Sequence, residues 1–117
     1  MKITAWIPPA LFYLLLIGLS SVPARDLPGP EIPFADKAAH LAVYTVLGIL
    51  LGRTGAVWPL TLSAGLLAGA LDEVYQSFTP GRSPDPWDFV ADSIGIGIGL
   101  ALVYGYRTYR ARPKPRP

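Results

Sequence analysis

The stretch FVADSIGIGIGLALVYGY, residues 89–106, decides the fold of this chain. Only one of its 18 residues, Asp92, is charged. An α-helix rises about 1.5 Å per residue, so about 20 such residues cross the hydrocarbon core of a bilayer. A carboxyl group inside such a helix is costly and by default marks a functional site. The stretch therefore predicts a transmembrane helix with a functional polar group.

Three more apolar segments precede this one: residues 3–22 and 54–71 without a charge, and residues 38–52 with only His40. Tryptophans lie near segment ends, as in the aromatic belts of membrane proteins: Trp6, Trp58 and Trp87. A soluble bundle would need polar faces at helical spacing, and the two uncharged segments have none. We therefore predict one all-α membrane domain over residues 1–117, a compact bundle of four transmembrane helices at about 3–22, 36–52, 57–78 and 88–107.

Basic residues predict the orientation of the bundle. The net charge is +2, and five of the ten basic residues lie in the tail at 107–117. Basic flanks stay in the cytoplasm, so we predict cytoplasmic N- and C-termini in a multi-pass protein of the plasma membrane. Next to an apolar segment such a tail indicates topology or anionic lipid, and we predict no nucleic-acid partner. The absence of Cys excludes disulfides and thiol chemistry.

The first segment has a second interpretation. Lys2, the apolar stretch and Val22-Pro23-Ala24 resemble a signal peptide with a small-residue cleavage site. The apolar stretch is longer than a usual signal core, so we favour an uncleaved anchor. The Pro-rich residues 23–33 predict an extended external connector.

Polar residues converge at the external ends of helices two, three and four. Asp36, His40 and Tyr44 are spaced i, i+4, i+8, which places them on one stripe of helix two. The other members of this predicted layer follow along the chain: Lys37, Glu73, Gln76, Arg82, Asp85, Asp88 and Asp92. The innermost three, His40, Glu73 and Asp92, lie inside their helices and are the strongest site candidates.

Small residues predict how these helices pack. Gly65 and Gly69 share a face with Glu73, while Gly95 and Gly99 share a face with Asp92. Small residues four apart let helix backbones approach closely in lipid, so these faces should turn inward with their carboxylates. The same faces could instead form a homo-oligomer.

Each polar residue also has a structural interpretation. Asp36 and Asp88 stand at predicted helix starts and could cap free N–H groups. Lys37 and Arg82 could extend to lipid headgroups. The remaining groups could form a network that holds the helices together: Tyr44, as a packed aromatic with a bonded hydroxyl, Asp72, His40, Glu73 and Asp92.

Three motifs in order carry a family resemblance: DKAAHLAVYTVLG at 36–48, EVYQSFTPGR at 73–82 and DPWDFVADSIG at 85–95. Over about residues 34–100 the chain resembles the VanZ-like family of small integral membrane proteins. The family typically has Asn at the position of Asp92, so this chain adds a carboxyl group there. The resemblance implies a role in the bacterial cell envelope, related to glycopeptide (teicoplanin) resistance, and no particular reaction.

A binding module is the first functional hypothesis. Lys37 and Arg82 would hold an anionic membrane lipid or a lipid-linked cell-wall precursor, because paired bases suit phosphate. His40, Tyr44 and Gln76 would hydrogen-bond its polar parts, with Glu73 and Asp92 orienting them. This hypothesis needs no cofactor.

An enzyme acting on a lipid head group is the second hypothesis, and the sequence leaves open whether the protein is one. His40 and Glu73 would be its catalytic residues, since imidazole and a buried carboxyl can exchange protons near neutral pH. A divalent cation could be held by four carboxylates: Glu73, Asp85, Asp88 and Asp92. No Ser has a nucleophile signature, so covalent catalysis is unsupported.

A third hypothesis is a structural subunit that braces a larger membrane complex through the polar layer. A transporter fits less well, because four short helices leave little room for a path unless the chain oligomerises.

Overall fold

The computed structural model describes residues 2–21 and 35–117. These residues form four α-helices and contain no strand: α1 (Ile7–Ser20), preceded by the 3-10 turn Ile3–Trp6, α2 (Ala35–Gly52), α3 (Trp58–Gln76) and α4 (Pro86–Arg110). The all-helical architecture and the number of helices match the sequence prediction. Val22-Pro23-Ala24 and the Pro-rich connector lie outside the described residues.

Helix boundaries differ from the prediction where proline is present. Pro8 and Pro9 stand in the first turn of α1, where the missing N–H costs no hydrogen bond, so the α-helix begins after the 3-10 turn. α4 begins two residues earlier than predicted, because Pro86 occupies its first position and Asp85 caps it. The expected cap, Asp88, lies inside the first turn instead, so its predicted capping role was wrong.

The end of α4 also extends beyond its predicted limit. The helix continues to Arg110, with Arg107 and Arg110 in its last turn. Cations there interact favourably with the partial negative charge of the helix terminus. The first part of the basic tail is therefore helical.

α4 packs most closely against α2. A Cβ added at Gly95 would lie 2.7 Å from the carbonyl oxygen of Leu41, and one at Gly99 would overlap the carbonyl oxygen of Thr45. From the α2 side, a Cβ on Gly48 would lie 2.6 Å from the Ile96 oxygen. These glycines let the two backbones come into contact, as small residues do in membrane helices.

One apolar core joins all four helices. Its buried members come from α1, α2 and α4: Leu16, Tyr44, Leu47, Leu51, Ile96 and Leu100. α3 contributes Gly65, which faces Ile96, and the partly buried Ala64 and Ala68. The hydroxyl of Tyr13 donates to the carbonyl of Ala68 at 2.9 Å and ties α1 to α3.

The outward faces of the helices are apolar as well. Large aliphatic side chains are about half exposed or more along three helices: Leu11, Leu14 and Leu15, then Leu67, Leu71 and Val74, then Ile94 and Leu102. Among the described helices, Ile3–Ser20 and Pro86–Arg110 are long and apolar enough to cross a membrane. Apolar surface of this extent is typical of a protein that faces lipid or a partner.

Candidate functional site

Lys37 lies in the first turn of α2 and is surrounded by acids. Its Nζ atom is 3.0 Å from Asp36, 2.5 Å from Asp85 and 3.0 Å from Asp88. Asp36 is largely exposed and belongs to the same turn, whereas the other two lie at the start of α4. Lys37 therefore ties α2 to α4, and its charge is offset by three carboxylates.

Asp85 has two roles at the start of α4. One carboxylate oxygen accepts from the backbone N–H of Trp87 at 2.9 Å, which makes Asp85 the N-cap. The other accepts from Lys37. The Lys37 hydrogen bond, followed by the bond from Trp87, holds the pKa of Asp85 below its usual range.

His40 stands one turn further into α2 and faces α4. Its Nδ1 atom lies 2.7 Å from Oδ1 of Asp92, and its Nε2 atom lies 3.9 Å from Oδ2 of Asp88. The Asp92 side chain is only 1% exposed. A carboxylate beside Nδ1 favours a proton on that nitrogen, which orients the ring and leaves Nε2 for other contacts.

Glu73 completes a compact group with His40 and Asp92. One ligand atom from each of the three lies within 4.8 Å of the others. Oε2 of Glu73 accepts from the backbone N–H of Asp85 at 3.3 Å. Among the described residues, three buried carboxylate oxygens have no hydrogen-bond partner: Oε1 of Glu73, Oδ2 of Asp92 and Oδ1 of Asp88, the last of which is ion-paired with Lys37. We call His40, Glu73 and Asp92 the His40 cluster.

The His40 cluster has the donor set of a divalent-cation site. Two carboxylates and one imidazole suit cations such as Mn²⁺ or Zn²⁺. Buried carboxylate oxygens without partners are costly, and a cation would satisfy them. The sequence predicted no cofactor, and its enzyme hypothesis alone would place a divalent cation on Glu73, Asp85, Asp88 and Asp92. In the structure, Asp85 and Asp88 bond Lys37, and His40 stands beside Glu73 and Asp92.

Asp72 forms a separate network at the same end of the bundle. Its carboxylate accepts from the Ser20 hydroxyl at 2.6 Å and from the Tyr44 hydroxyl at 2.9 Å. The Thr79 hydroxyl in turn donates to the carbonyl of Ser20 at 2.9 Å. Asp72, Tyr44 and Ser20 are all buried. This Asp72 network joins α1, α2 and α3, as expected for charges that hold helices together.

Two cavities open next to the His40 cluster and the Asp72 network. One of about 200 Å³ lies between α1 and α2, with an apolar wall of Leu16, Leu19, Ala39 and Val43 and a polar wall of His40, Tyr44, Asp72 and Arg82. The other, of about 380 Å³, is lined by Glu73, Asp85 and apolar residues at the start of α4. His40 and Glu73 are therefore each reached from a cavity.

The structure brings together the polar residues that the sequence placed in one layer. His40, Glu73 and Asp92 meet, and Lys37 bonds both Asp85 and Asp88. Arg82 lines the α1–α2 cavity and Gln76 is buried at the end of α3, whereas Asp36 lies at the exposed edge. Tyr44 follows its structural interpretation, because its hydroxyl is bonded within a buried network.

Ser20 and Thr79 are members of this end of the bundle that the sequence prediction missed. Ser20 is one of two adjacent serines at the end of an apolar segment, and serine there is too common to be a signal. Asp72, which accepts from the hydroxyls of Ser20 and Tyr44, was expected to be an interfacial or network charge, and these hydrogen bonds place it in a network.

The predicted oligomer faces are used inside the chain. Gly95 and Gly99 pack against α2, and Gly65 and Gly69 face Ile96 and Asp92. Glycines with open space on the helices are Gly18, Gly97 and Gly105. A homo-oligomer stays a prediction, and those positions are where a glycine contact would form.

Comparison with protein families identifies a match over most of the chain. The family model described as VanZ/LLP1 matches residues 4–107, which include all the residues of the His40 cluster and the Asp72 network. No curated protein and no solved structure matches.

Proposed function

The chain belongs to the VanZ/LLP1 family, and from this premise we propose that it binds a phosphate-bearing lipid or lipid-linked cell-wall head group. It does so as a multi-pass protein of the plasma membrane in which all four helices span the bilayer. The polar end of the bundle faces outward, and the N- and C-termini are cytoplasmic.

Exposed apolar surface supports the membrane part of the proposal. α2 has 18 residues and α3 has 19, which span about 27 and 29 Å at the helical rise. Those lengths are close to the roughly 30 Å of a hydrocarbon core. Half-exposed leucines on α3, such as Leu67 and Leu71, would face lipid instead of water.

Charge at the polar end determines how an anionic head group is held there. In the described ranges this end carries six carboxyl groups, while Lys37 and Arg82 are its permanently charged bases. Since Lys37 is already bonded to three carboxylates, direct capture of phosphate by Lys37 is disfavoured. A divalent cation in the His40 cluster would offset the negative charges of Glu73 and Asp92 and accept phosphate oxygens.

One observation carries this proposal. Ligand atoms of His40, Glu73 and Asp92 converge within 4.8 Å, and two of the carboxylate oxygens there are buried without hydrogen-bond partners. A network built only for stability would satisfy those oxygens.

The α1–α2 cavity supports a lipid as the ligand. Its apolar wall opens beside His40 and Arg82, so an acyl or prenyl chain could lie against Leu19 and Val43 while its head group reaches the polar wall. Arg82 would contribute a guanidinium to the phosphate. The ligand would thus enter sideways from the bilayer.

The test is binding of a polyprenyl phosphate to the purified full-length protein in nanodiscs, with Mn²⁺, with Zn²⁺ and with EDTA. We expect cation-dependent binding that Glu73→Gln and Arg82→Ala each weaken by about tenfold or more. The matched control is Asp36→Asn, which removes an exposed carboxylate from the same end and should leave affinity within about twofold. Equal binding in EDTA, or equal loss in the control, would remove the proposal.

Hydrolysis of such a head group is a second candidate, favoured by the short His40–Asp92 contact. An imidazole oriented by a buried carboxylate is a common general base, and in this mechanism His40 would take a proton from water instead of binding a cation. Phosphate release from a lipid phosphate by the wild type, but not by His40→Ala, would support it. If the lipid binds but no phosphate is released, the hydrolysis candidate is wrong and the protein acts as a binding module.

A contribution to teicoplanin resistance is a separate proposal at the level of the cell. Deleting the gene should then lower the concentration of teicoplanin that inhibits growth, and Arg82→Ala should not restore it. If Arg82→Ala restores the inhibitory concentration of teicoplanin in the deletion strain, resistance does not depend on head-group binding.

A further inference from the structure

A second recess lies at the opposite end of the bundle from the His40 cluster. It has a volume of about 780 Å³ and runs between the end of α2 and the end of α4. We call it the basic groove and define it by Ile49, Arg53, Leu102, Val103, Arg107 and Arg110. Arg107 follows Asp92 by 15 residues on α4, which is about 22 Å along the helix.

Two of the three arginines of the basic groove, Arg107 and Arg110, are held against aromatic rings. The guanidinium of Arg107 lies 6.0 Å from the ring centroid of Tyr104, and that of Arg110 lies 6.0 Å from that of Tyr106. Tyr104 is itself anchored, because its hydroxyl donates to the carbonyl of Ala56 at 2.9 Å. Rings at these distances limit how far the guanidinium groups move.

No acid on the surrounding segments offsets this charge. Residues 1–25, 37–71 and 93–117 contain neither Asp nor Glu. The acids of the described residues stand at position 36 and between positions 72 and 92, which is the other end of the bundle. The basic groove is therefore an electropositive site that a bound anion would stabilise.

The floor of the basic groove is apolar. Ile49 on α2 and Leu102 and Val103 on α4 line it, one to two turns deeper than the arginines. A soluble anion would use only the arginines, whereas a lipid would use both halves of the site. Arginine also matches phosphate with two parallel hydrogen bonds.

We propose that the basic groove binds an anionic phospholipid, with the phosphate among Arg53, Arg107 and Arg110 and an acyl chain along Ile49, Leu102 and Val103. This site is separate from the cation-dependent site and goes beyond the proposed function. A specific lipid bound there would fix the depth of the bundle in one leaflet. This would add to the non-specific electrostatic attraction between the basic tail and anionic lipids.

The experiment uses the purified full-length protein in nanodiscs with equal amounts of phosphatidylglycerol and phosphatidylcholine of the same acyl chains. Native mass spectrometry then measures which lipid is retained. We expect retained phosphatidylglycerol to exceed phosphatidylcholine by about tenfold, and a variant with Arg53→Gln, Arg107→Gln and Arg110→Gln to lower that ratio to about twofold or less.

The chain offers a control with the same change in charge. Arg112→Gln, Lys114→Gln and Arg116→Gln remove three positive charges from the tail outside the basic groove. This variant should keep the lipid preference within about twofold of the wild type. Equal losses in the two variants would overturn the proposal, because net charge alone would then explain the preference.

Two further arms separate the remaining outcomes. Should the groove variant fail to fold by circular dichroism, Arg110→Gln alone, at an exposed position, should lower the ratio by about threefold. An unchanged ratio there would count against the site. Displacement of the lipid by an equal concentration of glycerol phosphate would also overturn it, since the apolar floor would then contribute nothing.

Discussion

Nδ1 of His40 lies 2.7 Å from Oδ1 of Asp92, a contact that joins α2 to α4 across 52 positions of the chain. Gly95, one turn below Asp92, makes this contact feasible because it allows the backbone of α4 to touch that of α2 at Leu41. The close packing of the parallel helices α2 and α4 is therefore what brings His40 and Asp92 together in the His40 cluster.

Asp92→Asn should separate cation binding from folding. Asparagine keeps an oxygen that can accept from Nδ1 of His40 but removes the negative charge, and it is the residue that the family resemblance implies at this position. We expect affinity for Mn²⁺ or Zn²⁺, measured by isothermal titration calorimetry, to fall by about tenfold or more with little change in thermal stability. Asp36→Asn serves as the charge-matched control. Unchanged cation affinity in Asp92→Asn would contradict the site.

Gly99→Ala should force α2 and α4 apart. Its new Cβ would overlap the carbonyl oxygen of Thr45, and the backbone has to move to relieve the overlap. We expect a loss of about 1–3 kcal/mol of stability, read from thermal unfolding in detergent. Gly97→Ala is the matched control, since no atom lies within 4 Å of its added Cβ. It should be neutral or stabilising by up to about 1 kcal/mol. Equal behaviour of the two variants would refute the proposed close packing.

Tyr44→Phe should destabilise the bundle without affecting cation binding. It removes one of the two hydroxyls that bond the buried carboxylate of Asp72, at a cost of about 1–3 kcal/mol. Tyr75→Phe removes a hydroxyl that pairs with Ser21 at the exposed surface, and should cost less than about 0.5 kcal/mol. Thermal unfolding and cation titration on the same samples check both statements. Loss of cation affinity in folded Tyr44→Phe would instead place Tyr44 in the binding site.

Asp85→Asn should reduce the sensitivity of the protein to acid. Because the Lys37 hydrogen bond lowers the pKa of Asp85 in the folded state, its stabilising contribution is complete above the ordinary pKa of about 3.9. That contribution is lost as the pH falls through the lower pKa of the folded state. Asparagine retains the capping oxygen for Trp87, so the variant removes the ion pair with Lys37 and keeps the cap.

The measurement is the melting temperature of wild type and Asp85→Asn from pH 7 to pH 2. The wild type should melt higher at neutral pH, and the two curves should converge at the acid end. A constant difference at every pH would show that the charge of Asp85 does not stabilise the fold.

The helices were predictable because their signal is local. Four apolar stretches of 15 to 20 residues, bounded by proline, glycine and charge, indicated four helices, and the structure moves most of their ends by only one to three residues. The start of α1 moves by four residues, with Pro8 and Pro9 in its first turn, and the start of α4 moves by two because Asp85 caps it and Pro86 follows. Asp85 and Asp88 are both acids before an apolar run, so sequence alone could not decide between them.

Convergence of the polar residues at one end was also predictable, since helix direction alternates and depth follows from position. Which of these polar residues bond to each other was not predictable. Lys37, a candidate for phosphate binding, bonds three carboxylates, and Tyr44, a candidate both for the site and for a structural network, bonds Asp72. Each of these pairings depends on the rotation of a helix about its own axis. The hydrophobic pattern does not determine that rotation when both faces of the helix are apolar.

Amino-acid order by itself determined that apolar helices would carry a layer of ionisable groups at one end and a basic terminus at the other. Only the tertiary structure decided that His40, Glu73 and Asp92 share one cluster while Asp72 belongs to another. The reason is that helix formation and depth depend on neighbours along the chain. Contacts between side chains depend instead on the distance of closest approach of two backbones, here set by glycines on α2 and α4.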